Sequence, residues 1–129
     1  MSKNPKILVV DDSSVAAKLT TRSLEEIGLT KFDIASSGNE AWLKINQAQE
    51  QGQAYDVILA DWFMPNGSGL ELLKKVRADK KFVSVFFCMI TAESETQNIV
   101  DAVSEGINAY ITKPLTTENL QKKLRAFVA

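Results

Sequence analysis

Val57-Ile58-Leu59-Ala60 is apolar at four consecutive positions and ends on Asp61. Consecutive rather than alternating apolar residues indicate a strand covered on both faces, the condition of a strand inside a parallel sheet. Ile7-Leu8-Val9-Val10, followed by Asp11 and Asp12, repeats the arrangement near the start of the chain. Three further apolar runs, at Phe32 to Ala35, Val83 to Ile90 and Ala109 to Ile111, complete a set of five expected strands. Between and after them the apolar spacing changes to three and four, the period of an amphipathic helix. The stripes expected to face the core are Val15, Leu19 and Ile27; Ala41, Ile45 and Ala48; Leu72, Leu73 and Val76; Ile99, Val103 and Ile107; and Leu120, Leu124 and Phe127. Gly28, Gly52 and Gly106 stand near expected helix ends, and Ser94 with Gln97 three residues later reads as a capping box for the fourth helix.

Strict alternation of strand and helix needs right-handed crossovers, which place helices on both faces of a parallel sheet. The expected class is therefore α/β, a doubly wound five-stranded sheet, too short for a closed barrel. With 129 residues, one domain over 1–129 is expected, with no output domain attached. A composition of 45% hydrophobic and 24% charged residues suits a soluble globular chain. A net charge of -1 offers no field for nucleic acid or an anionic membrane. Nothing approaches the roughly 18 uninterrupted apolar residues of a membrane span, so the cytoplasm is the expected location. Histidine is absent, and the single cysteine, Cys88, lies within an apolar run and reads as core. The chemistry therefore rests on carboxylates, hydroxyls and lysines.

Open parallel sheets bind ligands beyond the carboxyl ends of their strands. Those ends carry Asp11 and Asp12, Asp61, Thr91 and Lys113. Each alone reads as a cap, a turn residue or a solvated charge. Together they are more informative, because neighbouring strand ends lie about 5 Å apart and would gather three carboxylates in one crevice. Such repulsion is relieved by raised pKa values or by a cation, and a hydrated set of hard oxygens suits magnesium. Lys113 faces the same crevice, an addition of little use to a metal but suited to an incoming phosphate. Thr91 is expected to offer a hydroxyl at the rim.

Four motifs in order carry a resemblance to a known family. They are Val9-Val10-Asp11-Asp12; Leu59-Ala60-Asp61 running on through Trp62-Phe63-Met64-Pro65-Asn66-Gly67-Ser68-Gly69; Met89-Ile90-Thr91-Ala92; and Tyr110-Ile111-Thr112-Lys113-Pro114. With them the chain resembles a response-regulator receiver domain of the CheY-like, single-domain type over essentially its whole length. The resemblance implies a flavodoxin-like (βα)5 fold with strand order 2-1-3-4-5, and a switch in a two-component phosphorelay. It implies Asp61 as phosphoacceptor, and Asp12, Asp61 and the Phe63 backbone carbonyl as magnesium ligands, with Asp11 acting through a metal-bound water and manganese able to substitute. Lys113 would pair with Asp61 and then with the phosphoryl group. Thr91 would follow a phosphoryl oxygen, and Tyr110 would turn inward as the switch aromatic. Phe63 and Glu93 would tune the lifetime of the phosphorylated form, and Lys113-Pro114 would be a cis peptide. A histidine kinase or phosphotransfer protein would be the donor. A protein target would meet the face built from the fourth helix, fifth strand and fifth helix, as in chemotaxis-type or relay regulators. The chain would promote only its own phosphorylation and dephosphorylation, without being an enzyme, as a monomer or weak dimer.

Other readings remain at this stage. A haloacid-dehalogenase-type hydrolase also combines aspartate and magnesium, but places its nucleophile after the first strand in an Asp-x-Asp pattern, whereas Asp11 and Asp12 are adjacent. A flavodoxin-like electron carrier needs a phosphate-accepting first loop, which Asp11 and Asp12 would repel. A receiver-like scaffold that takes no phosphate is the third. Trp62 is expected to pack, and Lys122, Lys123 and Arg125 to form a solvated face.

Overall fold

The computed structural model describes residues 4–92 and 96–128, the side chains of Thr96 and Gln97 excepted. Its strands are β1 (Ile7–Val10), β2 (Phe32–Ala35), β3 (Val57–Ala60), β4 (Phe86–Thr91) and β5 (Ala109–Thr112). Its helices are α1 (Ser14–Glu26), α2 (Gly38–Glu50), α3 (Gly69–Ala78), α4 (Thr96–Ser104) and α5 (Thr117–Lys123), with a short 3-10 turn at Lys80–Phe82. The sheet runs β2-β1-β3-β4-β5 and every pairing is parallel. This is the expected doubly wound order.

Successive residues along a strand point to opposite faces, so each strand feeds two cores. Leu8, Val10, Ile58, Ala60, Phe87 and Met89 pack with Ala41, Ile45, Leu72, Leu73 and Val76 of α2 and α3. Ile7, Val9, Leu59, Cys88, Ile90 and Ile111 pack with Ala17 and Leu24 of α1 and with Leu120 and Leu124 of α5. Both faces of β1 and β3 are buried at every position, as consecutive apolar residues require. Cys88 is fully buried, and burial pushes its thiol up to about 12.

Local chemistry marks the helix ends. Ser13, Ser37, Ser68 and Thr116 each accept an amide from the first turn of their helix, and Ser68 and Glu71 form a full capping box. Gly106 closes α4 at φ +94, where its N–H reaches the Val103 carbonyl at 3.0 Å and that of Ile107 reaches Ala102 at 3.2 Å, a Schellman cap. The capping box expected at Ser94 and Gln97 lies outside the described residues.

Several expectations need correction. The fourth strand begins at Phe86, not Val83: the chain turns through Lys80–Phe82, and Val83 is exposed. A mostly apolar run cannot be told from a strand by pattern alone when a tight turn interrupts it. Val15 and Leu19 do not face the core; they are 68% and 57% exposed, and α1 instead buries Ala17, Thr20, Thr21, Ser23 and Leu24. Two of these hydroxyls are tolerated because they find partners: Thr21 donates to the Lys18 carbonyl at 3.1 Å, and Thr117 of α5 donates to Ser23 at 3.0 Å. Val103 likewise points outward. Ile27, Ile107 and Phe127 lie just beyond the ends of α1, α4 and α5, not within them.

Candidate functional site

Backbone bonds that continue the sheet past its strands fix the site. The Asp11 amide donates to the Ala35 carbonyl at 3.0 Å, that of Asp61 to Val10 at 2.9 Å, and that of Lys113 to Thr91 at 2.9 Å. Each of the three residues therefore stands one step past its strand, held by the neighbouring strand. Because Val10 and Ala60 are register partners, Asp11 and Asp61 emerge side by side. Asp11, Asp12 and Asp61 each bring a carboxylate oxygen within 4.8 Å of the others. The expected acid cluster is thus formed, with Asp11 buried, Asp61 half-buried and Asp12 exposed.

Lys113 bridges two of the three acids. Its Nζ lies 3.3 Å from Asp11 Oδ2 and 3.3 Å from Asp61 Oδ2. Asp11 also accepts the Ser13 amide at 2.9 Å, which fixes its carboxylate while α1 begins. Burial pushes the Asp61 carboxyl up; Lys113 and the Trp62 amide work against this, and Asp11 adds to it. Burial works to lower the Lys113 ammonium, but Asp61 and Asp11 together outweigh it and hold the group above its ordinary value. One ammonium against three carboxylates leaves the crevice short of positive charge.

The remaining expected residues fall around this centre. Thr91 is the last residue of β4 and is buried, so it is not at the rim as expected. Tyr110, in β5, is half-buried against the core on the α2 and α3 side and is the register partner of Met89. Phe63 is 58% exposed in the loop after β3, its ring 6.3 Å from that of the buried Trp62. Glu93 lies outside the described residues. Lys113-Pro114 is cis, as expected. Lys122, Lys123 and Arg125 are exposed, with Lys122 3.4 Å from Glu118 on the surface of α5.

Sequence reading missed one structural residue of the site. Gly69 opens α3 beneath Asp61, and a Cβ there would collide with the Asp61 carbonyl oxygen and with Met89 Sδ. Its amide donates to the Trp62 carbonyl at 2.9 Å, closing the loop on itself. The signal was a glycine directly after Ser68, at the opening of a helix where no left-handed turn required it.

The acid cluster fits magnesium by the chemistry of its donors: hard carboxylate oxygens, close together, and open to water on the Asp12 side. Among the described residues, no helix is long and apolar enough to cross a membrane.

Comparison with known proteins agrees with the geometry. Residues 7–125 match the model of the response regulator receiver domain. The chemotaxis protein CheY1 of Helicobacter pylori is 39% identical over 119 residues, covering 92% of this chain and 93% of that protein. CheY-3 of Vibrio cholerae is 35% identical over 124 residues, covering 96% and 92%. Among solved structures, Vibrio cholerae CheY4 superposes with a TM-score of 0.84 at 28% identity, over 97% of this chain and 99% of that one. The CheY of Borrelia burgdorferi, solved in a CheX-CheY-BeF3-Mg complex, gives 0.84 at 26% identity, over 96% and 90%. With four motifs, the strand order and the acid cluster in agreement, the chain belongs to the response regulator receiver domain family.

Proposed function

We propose that this chain is a signalling switch of a two-component system, turned on by phosphorylation of Asp61. The observation that carries the reading is the arrangement of three carboxylates within 4.8 Å, of which Lys113 bridges only Asp11 and Asp61. A carboxylate nucleophile needs no general base, and phosphoryl transfer depends mainly on alignment and charge neutralisation. Asp61 Oδ forms the new bond to phosphorus while the phosphorus–nitrogen bond of a donor phosphohistidine breaks and its electrons return to the imidazole. Asp12, Asp61 and the Phe63 carbonyl would hold magnesium, with Asp11 acting through a bound water. When bound, the ion supplies charge neutralisation at the phosphoryl oxygens, which manganese could also provide.

This chain's own groups do the rest. Lys113, released from Asp61 as that carboxylate becomes an acyl phosphate, follows the phosphoryl oxygens. Thr91, at the end of β4, moves its hydroxyl toward the new anion, and Tyr110 on the next strand fills the space it leaves. The two conformations differ at the surface of α4, β5 and α5, where Val100 and Val103 already stand 49% and 62% exposed. A protein target of the chemotaxis or relay kind reads that change; the Borrelia CheY was solved in complex with another protein, CheX. Val15 and Leu19 on α1, which follows Asp11 and Asp12, and Phe63 in the loop after Asp61 are all more than half exposed, apolar surface that suits a docking donor such as a histidine kinase or phosphotransfer protein. Phe63 and Glu93 set how long the phosphoryl group lasts. The chain works in the cytoplasm as a monomer or weak dimer, promoting its own phosphorylation and dephosphorylation and no other turnover.

Incubation with magnesium and acetyl phosphate tests the reading through Trp62 fluorescence. A change should appear in the wild type and be lost with Asp61→Asn or with a chelator. Sustained hydrolysis of added phosphomonoesters would favour the haloacid-dehalogenase-type alternative, and no response in any arm would favour a scaffold.

A further inference from the structure

We propose that the amino-terminal turn of α2 is a positioning element for the magnesium site, with Gly38 and Asn39 fixing the loop that carries the Phe63 carbonyl. The inference rests on the reading of that carbonyl as a metal ligand. The loop leaves β3 at Asp61 and re-enters helix at Gly69. Trp62 is buried in the core at the start of the loop and Met64 packs partly against it, but from Pro65 to Gly67 the residues are exposed or half-exposed, so packing does little to hold that stretch. Two backbone bonds from another element hold it instead. The Gly38 amide donates to the Gly67 carbonyl at 2.9 Å, and the Asn39 amide to the Asn66 carbonyl at 3.1 Å.

The first-turn amides of any helix lack partners within the helix. In α2 the Glu40 amide is taken by Ser37, and the two before it are spent on the loop. The loop presents its carbonyls there through two successive left-handed residues, Asn66 at φ +59 and Gly67 at φ +106. The approach is too close for a side chain. A Cβ on Gly38 would stand 2.5 Å from the Gly67 oxygen and 2.8 Å from its carbonyl carbon, and both are backbone atoms with no flexible end to swing away. At the other end of the same helix, a Cβ on Gly52 would meet nothing within 4 Å. The tight glycine is therefore the one facing the loop. A metal carbonyl ligand must stand within about 0.2 Å of its working distance, and a loop already held there loses less freedom on binding.

Calorimetric titration of each folded protein with magnesium chloride tests this. Gly38→Ala pushes the loop off α2. Asn39→Pro removes the other donor at a first-turn position where a helix accepts proline, and serves if Gly38→Ala does not fold. Each should weaken magnesium binding about ten-fold, the usual cost of losing a group that orients a ligand. Gly52→Ala strains a left-handed position of the same helix without touching the loop, and should lower the urea midpoint while keeping wild-type affinity. Wild-type affinity in a folded Gly38→Ala or Asn39→Pro, or an equal loss in Gly52→Ala, overturns the proposal. A wild type that takes up no magnesium overturns the metal reading itself, and the positioning role with it.

Discussion

The two ends of the parallel sheet handle charge in opposite ways. At the amino-terminal end the charged groups are met by neutral partners. The Lys6 amide donates to Asp56 at 2.9 Å, and its ammonium donates to the Gln53 carbonyl at 3.0 Å while lying 4.7 Å from the centre of the Tyr55 ring. The Tyr55 hydroxyl donates to Asp33 at 2.7 Å. Arg77 spreads its half-buried guanidinium over neutral acceptors: the Gly106 carbonyl at 2.8 Å, Asn108 Oδ1 at 2.7 Å, and the Phe82 and Val83 carbonyls at 3.4 Å each. Asn108 in turn accepts the Phe87 amide, so one arginine ties α3 to the end of α4 and to the start of β4. At the carboxyl-terminal end, three acids face a single lysine, and burial raises the Asp61 carboxyl. Neutral partners hold the charges at one end; at the other, one ammonium bridges two of three crowded carboxylates.

The contrast can be broken by mutation. Arg77→Met should cost about 2 kcal/mol in urea unfolding, since it removes the charged donor shared by the part-buried Gly106 and Phe82 carbonyls and by two exposed acceptors. A loss below that of an ordinary surface substitution would remove Arg77 from the stabilising end. Tyr55→Phe should cost about 1 kcal/mol, the worth of one hydrogen bond, and leave phosphorylation of Asp61 unchanged. Asp61→Asn should act with the opposite sign, raising the urea midpoint of the metal-free protein by a smaller amount, because it discharges a group whose charge the fold disfavours. A lower midpoint would mean that the Lys113 pair outweighs burial and the Asp11 repulsion.

The smallest effect sharpens the picture of the core between the two ends. Burial raises the Cys88 thiol from 9.0 to about 12. A raised folded value means the native state keeps its proton while the unfolded thiol ionises. Stability from this group is therefore complete below the unfolded value and lost as pH rises through about 12. Iodoacetamide at mildly alkaline pH should leave the native thiol unmodified and label it in urea; rapid native labelling would show that β4 opens locally.

Much of this was legible in the residues, for identifiable reasons. Strands buried on both faces leave an uninterrupted apolar run, so β1 and β3 could be read to the residue, and the aspartates that end them identified the crevice. The strand order came from the family resemblance, since periodicity carries no information about which strand lies beside which. α1 misled because Thr20, Thr21 and Ser23 are buried, the last two with hydrogen-bond partners, while Val15 and Leu19 face out. A periodic pattern records polarity, not which polar groups will be satisfied. The Arg77 clamp and the contact between Gly38 and Gly67 were illegible for a related reason: both are made largely to backbone carbonyls, which every residue carries.

Intact-mass spectrometry of the magnesium-loaded protein after incubation with acetyl phosphate tests the central claim most directly. The wild type should gain about 80 Da, and Asp61→Asn should gain nothing. An unmodified wild type, or an adduct that survives the substitution, would contradict the assignment of Asp61 as the phosphoryl acceptor.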